Sequence, residues 1–465
     1  MPDERLQHGE YVWLIPATTF RPNWPNRHGV LYGGNKSARP PGAALKWQIR
    51  AEWRTIPLVV AGLGDILFPG CRGKPATNKH RMNPELSRFA ARLRDLIANP
   101  QSAVRNPQFS GLALELFALQ FQHNPAYRKI CEARKLTPAT VEHWTQIPAV
   151  PTAAFKELEL TSLAPGERTA VFHSSGTTAQ KPSRHFHSAE SLAVYEASLW
   201  TWFRQNCGLR IAECGLVVLT PPPSLVPLSS LAHMFETIRQ QLGGVSVPAP
   251  ASPERLPRRE GASRPEFFGN LAADGSWTLD FAATLAALNS SLVTRHPSLL
   301  LGTAFSFVHL LDYLVARDLR VALSAGSRVM ETGGYKNRSR TLPKDELHAL
   351  ITERLGVPRE NIICEYGMSE LSSQAYDSEI HPPSSILHPR VFRFPPWARV
   401  QIVSPETGGE VAEGETGIIR VFDLANVFSV AAIQTEDLGI RRGEGFELVG
   451  RAQLAEPRGC SLMTA

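Results

Sequence analysis

The segment TAVFHSSGTTAQKPSRHF, residues 169–186, decides how the rest of the chain is read. Its short apolar start predicts a strand that runs directly into a loop of hydroxyls and one glycine. In Ser174-Ser175-Gly176-Thr177-Thr178 the small residues let backbone amides approach an anion, and the hydroxyls can donate to phosphate oxygens. Lys181, Arg184 and His185 follow as candidate counter-charges. The GxxxxGK[ST] spacing is absent, so this is not a Walker loop. Taken alone, the same residue types also suit an ordinary turn.

Outward from that loop, short apolar runs alternate with helical stretches. CGLVVLTPPP, PSLLLGTAFSFVHLLDYLVARD, RVMETGG, DELHALITERLG and ENIICEYG repeat the order strand, Gly-containing or polar loop, helix. That order predicts an α/β fold with parallel pairing. Upstream, NPELSRFAARLRDLIA places Leu86, Phe89, Leu93, Leu96 and Ile97 on one face of a helix. After His381 the runs WARVQIVSPETG, TGIIRVFDLAN and FSVAAIQTEDLG predict a smaller β-rich part. The expected division is thus 1–82 as an extension, 83–380 as α/β, and 381–465 as β-rich with a C-terminal tail.

The 465-residue chain has formal net charge +6, but twelve bases against five acids lie in residues 1–82. The main body is near neutral, which argues against a nucleic-acid surface. The first 82 residues, with four Trp and Pro/Arg/Asn clusters, read as a small extra domain, a disordered basic arm, or sequence upstream of an unused start. They are expected to be dispensable. Residues 57–69 are too short to span a bilayer and carry Asp65, and the polar, acidic start is unlike a secretory signal. Six Cys in so long a chain are no disulfide framework, so a reducing, cytoplasmic setting is expected.

Three further motifs follow in order. Glu365-Tyr366-Gly367-Met368-Ser369-Glu370 lies after NIIC, Thr435-Glu436-Asp437-Leu438-Gly439 after VAAIQ, and Gly450-Arg451 precedes the end. Together with the Ser/Thr/Gly loop these elements resemble the adenylate-forming superfamily. SSGTTAQKPSRHF, LLGTAFSFVHLLD, METGGYKNRSRTLPKDELHALITERLG, EYGMSELSSQAYD, TEDLG and GRAQLAEPRGCSL are similar, more closely, to the acyl-protein synthetases of the bacterial luminescence fatty-acid reductase. The resemblance covers about 83–465 and departs from the family at Asn337 and Leu454, where Gly is usual.

The resemblance implies the large N-terminal lobe of an adenylate-forming enzyme with a terminal β-rich subdomain. The C-terminal lobe and its lysine would be essentially missing. It implies ATP and Mg²⁺ as cofactors. Ser174, Ser175, Gly176, Thr177 and Thr178 would hold phosphates, with Lys181 and Arg184 adding charge. Glu370 would hold Mg²⁺, Tyr366 would stack on adenine, Asp437 would bind the ribose, and Arg451 would precede the hinge. The bland readings are a helix-start acid for Glu370, a core aromatic for Tyr366 and a turn residue for Asp437.

The cysteines sort by surroundings. Cys364 reads as a buried residue, and Cys207 and Cys214 lack the spacing of a zinc site. Cys71 falls in the extension and Cys131 in a helical stretch. Cys460 follows Arg458 and Gly459 near the terminus and reads as the acyl acceptor. The implied activity is ATP-dependent loading of a fatty acid onto Cys460 for an acyl reductase partner. The alternatives are a ligase passing the acyl group to coenzyme A or a carrier protein, and a non-catalytic scaffold on the same fold.

Overall fold

The computed structural model describes residues 83–99, 106–174, 181–208, 214–243, 266–335, 339–377 and 390–452. The expected extension 1–82 and the tail with Cys460 lie outside them. Apart from 404–409, these residues fall within one compact unit.

The alternating runs form a six-stranded sheet in the order Ala375–Tyr376, Ile362–Tyr366, Arg328–Thr332, Ser298–Thr303, Gly215–Val218, Glu266–Phe267. Every neighbouring pair is parallel except Ile362–Tyr366 with Ala375–Tyr376. Ser298–Thr303 and Ile362–Tyr366 are buried at every residue. Such continuity is required when helices cover both faces of a sheet. Strand alternation divides the apolar side chains between two cores. Val217, Leu300, Val329 and Ile362 pack with Leu311 and Ile351, contributed by helices Ala304–Ala316 and Lys344–Leu355. Leu216, Leu299, Leu301, Met330 and Ile363 pack instead with Leu199 and Phe235, contributed by helices Ala189–Cys207 and Ser230–Leu242.

A second, five-stranded sheet joins Val150–Pro151, Ala432–Arg442, Thr416–Asp423 and Ala398–Val403, with Gly445–Arg451 pairing the other part of Ala432–Arg442. All its pairs are antiparallel except Val150–Pro151 with Ala432–Arg442. Its core includes residues from the first third of the chain. Leu86, Phe89, Leu93 and Ile97 are buried in the cluster that also holds Ile419, Val421, Ile433 and Phe446. The helix Pro84–Ala98 begins where the Asn83 side chain accepts from the Glu85 and Leu86 amides. Leu96, expected on its apolar face, is only half-buried. Sequence order and core membership therefore differ, because helices before residue 150 cover a sheet built largely after 390.

Candidate active site

The site is built at the carboxyl ends of parallel strands, where open α/β sheets place their ligand crevices. Arg328–Thr332 runs into Gly333, which turns at φ +67°, and Ile362–Tyr366 runs into Gly367. A Cβ at Gly367 would stand 2.3 Å from Glu365 Oε1, so any larger residue there would displace the buried carboxyl from its present position. The Thr332 hydroxyl donates to Glu365 Oε2, tying the two strand ends together. Burial pushes the Glu365 carboxyl up to about 7, against the Thr332 hydrogen bond and with added repulsion from Glu331.

The loop that opened the sequence reading is carried by a hairpin, Ala170–His173 paired antiparallel with Arg184–His187. Ser175, Gly176, Thr177 and Thr178 lie outside the described residues. At the base, the Ser183 amide donates to Ser174 Oγ at 3.0 Å and the Ser174 amide to the Ser183 carbonyl at 3.3 Å. The Ser183 hydroxyl then donates to Glu370 Oε1 at 2.7 Å, a bond spanning 187 residues of chain. Glu370, 1% exposed, also accepts from the Ser369 hydroxyl at 3.1 Å. The Asn426 amide donates to its carbonyl at 3.0 Å. Buried Asp423 holds the following turn, accepting from the Ser372 and Ser373 amides and the Ser373 hydroxyl.

The three expected counter-charges separate. Lys181 pairs with Glu157 at 2.9 Å, and Arg184 reaches Glu159 at 3.5 Å. His185 is not a surface cation: it is 3% exposed, and its Nδ1 lies 2.8 Å from the Ser369 carbonyl. Burial pulls its imidazole down to about 4, so at neutral pH it is an uncharged donor that fastens the hairpin to the EYGMSE loop.

Tyr366 lies buried beside Phe392, Phe394 and Phe446, all with ring centroids within 6.3 Å. Its hydroxyl donates to Asp437 Oδ2 at 2.9 Å. Burial raises the phenol well above its usual range, and the neighbouring Asp437 charge adds to that. Asp437 and Arg451 are opposite partners in the strand ladder, with Arg451 Nε 3.6 Å from Asp437 Oδ1. Asp437 also has its amide turned to the Thr435 hydroxyl at 3.1 Å. Thus Tyr366, Asp437 and Arg451 meet in one chain of contacts, and Ser174, Ser183 and Glu370 in another. Ser183, Asp423 and Glu365 were missed as site residues. Ser183 and Glu365 lie inside quoted motifs, whereas nothing local marks Asp423.

For a magnesium ion, the donor set fits. Glu370 offers a hard carboxylate whose described hydroxyl partners can rotate away. It stands at the base of a loop of hydroxyl and glycine residues.

The fold is that of the adenylate-forming ligases. The chain superposes on a 2-hydroxyisobutyryl-CoA ligase in its open conformation with TM-score 0.54 and 14% identity, covering 75% of each chain. A postadenylation structure of the same enzyme matches with TM-score 0.54 and 13% identity over 75% of this chain and 68% of that one. The profile of the acyl-protein synthetase (LuxE) family matches residues 91–187 and 263–465, and the chain belongs to that family. A long-chain-fatty-acid–luciferin-component ligase of Aliivibrio fischeri is 26% identical over 200 residues, 40% of this chain and 50% of that protein. Its counterpart from Vibrio harveyi is 24% identical over 194 residues, 40% and 49% respectively. The chain spans about half the length of these curated relatives in the matched region.

No helix among the described residues is long and apolar enough to cross a membrane.

Proposed function

We propose that this protein activates a fatty acid with ATP and transfers the acyl group to its own Cys460 for an acyl reductase. The observation that carries this reading is the convergence of four separated motifs, through Ser183–Glu370 and through Tyr366–Asp437–Arg451. In the first half-reaction the fatty carboxylate oxygen attacks the α-phosphorus of ATP, the bond to the β-phosphate bridging oxygen breaks, and pyrophosphate leaves. Two anions must be brought together, so cations and oriented donors are required. Ser174, Ser175, Gly176, Thr177 and Thr178 would bind phosphate oxygens, with Lys181 and Arg184 nearby. Asp437 would orient the ribose, Tyr366 would set the adenine wall, and Glu370 would hold Mg²⁺, which neutralises phosphate charge when bound.

In the second half-reaction a thiolate attacks the acyl carbon and AMP leaves with the bonding pair. Burial raises the thiols of Cys131, Cys207, Cys214 and Cys364, which keeps each protonated at neutral pH. Cys460 lies nine positions after Arg451, so the extended chain bounds their separation at roughly 30 Å.

The test is incubation with labelled fatty acid and ATP, with and without coenzyme A. Hydroxylamine-sensitive label should stay on the protein and vanish in Cys460→Ser while ATP–pyrophosphate exchange continues. Label that moves to coenzyme A would replace protein acylation by ligation to a soluble thiol. Absence of exchange would leave a non-catalytic scaffold.

A further inference from the structure

Beneath the strand ends, on the side away from Glu365, three donors of different chemistry converge. Glu331 and Cys364 are opposite partners on adjacent parallel strands, and His348 comes from the helix Lys344–Leu355 that packs on them. They are 4%, 1% and 1% exposed. Cys364 Sγ lies 3.2 Å from Glu331 Oε2 and 3.6 Å from His348 Nε2, and His348 Nε2 lies 3.5 Å from Glu331 Oε2.

We propose that Glu331, His348 and Cys364 form a binding site for one divalent ion of the zinc type. This does not depend on the proposed reaction. The spacing carries the argument. A hydrogen-bonded imidazole and carboxylate close to about 2.9 Å, whereas this pair stands at 3.5 Å. Ligands sharing a tetrahedral ion at about 2.0 Å for N or O and 2.3 Å for S stand roughly 3.3–3.6 Å apart. All three edges lie within about 0.2 Å of that range. Mixed S, N and O donors suit zinc better than calcium or magnesium.

The surrounding charges are compatible. Arg390 Nη1 contacts Asp377 at 3.2 Å and lies 3.9 Å from Cys364 Sγ. Lys344, exposed at the start of the helix, is close enough for its positive charge to act on Cys364 and Glu331. With the thiol ionised, Glu331, Asp377 and Cys364 oppose these two cations, leaving one negative charge for the ion to meet. Binding forms a metal–sulfur bond and releases the thiol proton to solvent. The ion would lock two strand ends and one helix together one residue below Thr332 and Glu365, bracing the floor of the candidate site.

The experiment is metal analysis of the full-length protein after dialysis against zinc-free buffer, followed by exchange into cobalt(II). About one zinc per chain is expected, and cobalt should give a thiolate charge-transfer band with tetrahedral d–d absorption. Cys364→Ser should remove the charge-transfer band. His348→Gln, which also serves if the cysteine variant does not fold, should weaken zinc binding by about 10²-fold or more, beyond the loss of an outer-shell partner. Failure of the wild-type protein to bind either metal stoichiometrically overturns the proposal. So does a cobalt spectrum and zinc affinity unchanged in His348→Gln, which would place the metal elsewhere.

Discussion

The two sheets supply residues to the site in different ways. The parallel sheet supplies strand ends: Thr332 and Tyr366 are the last residues of neighbouring strands, and Glu370 sits in the loop just beyond. The other sheet supplies positions within its ladder, Asp437 with Arg451 opposite. A strand end leaves its loop free to be shaped by other contacts. A ladder position is set by register, and a slip of one residue would turn Asp437 to the opposite face. The carboxylates differ accordingly. Glu370 is 1% exposed and received by serine hydroxyls, whereas the Asp437 side chain is 17% exposed and meets a phenol and a guanidinium. Charge acts more strongly where solvent is excluded, so the parallel-sheet corner should dominate the energetics of adenylation.

The largest expected effect tests that contrast directly. Glu370→Gln keeps the shape and removes the charge, and ATP–pyrophosphate exchange should fall roughly 10²-fold or more, the scale of one lost preorganised electrostatic contact. An unchanged rate and magnesium dependence would take Glu370 out of the site. Asp437→Asn should cost less, about tenfold, expressed mainly as a raised KM for ATP, because its surroundings are more exposed and more strongly screened. Equal losses in the two variants would break the comparison. Tyr366→Phe removes only the hydroxyl that reaches Asp437, which keeps its Arg451 partner, and a few-fold loss is expected, on the scale of one ordinary hydrogen bond of about 1 kcal/mol. A loss matching that of Asp437→Asn would make the phenol an equal partner.

The smallest effect should appear in stability against pH, where buried Glu365 acts against buried His185 and its neighbour His187. Glu365 is raised from 4.5 to about 7, so the folded state holds its proton more tightly. Its contribution is complete below about 4.5 and is lost as pH rises through 7. His185 is lowered from 6.5 to about 4, so its contribution is present above 6.5 and is lost as pH falls through 4. Burial also holds the His187 imidazole well below its usual range, with the same sign as His185, so between 4.5 and 6.5 two imidazole slopes, each at most about 1.4 kcal/mol per pH unit, oppose the one from Glu365. Denaturant unfolding across that interval should show stability rising with pH more steeply than wild type in Glu365→Gln and less steeply than wild type in His185→Asn. Parallel curves for both variants and wild type would remove these groups from the linkage.

Much of this architecture was legible in the sequence. The runs LVV, SLLLGT, RVMET and IICEY are apolar, of strand length, and followed by polar or Gly turns and helical periodicity, so parallel strands could be placed from local signals. Among the described residues, Ser174 of SSGTT, Tyr366 and Glu370 of EYGMSE, Asp437 of TEDLG and Arg451 likewise lie in those motifs and take part in the two chains of contacts. His185 was misleading as a basic residue because its charge depends on burial, which a local window does not contain.

The sequence by itself determined strand and helix type, the apolar faces and the order of the motifs, because these are set by neighbours a few residues apart. Only the tertiary structure decided that Val150–Pro151 extends the strand Ala432–Arg442, and that helices before residue 134 cover the second sheet. It also decided that Ser183 meets Glu370, that Tyr366 meets Asp437, and that Glu331, His348 and Cys364 share one point. The physical reason is the same in each case. Register, burial and the charge state of a buried group arise from contacts between segments far apart in the chain, and no local propensity encodes which distant partner will supply them.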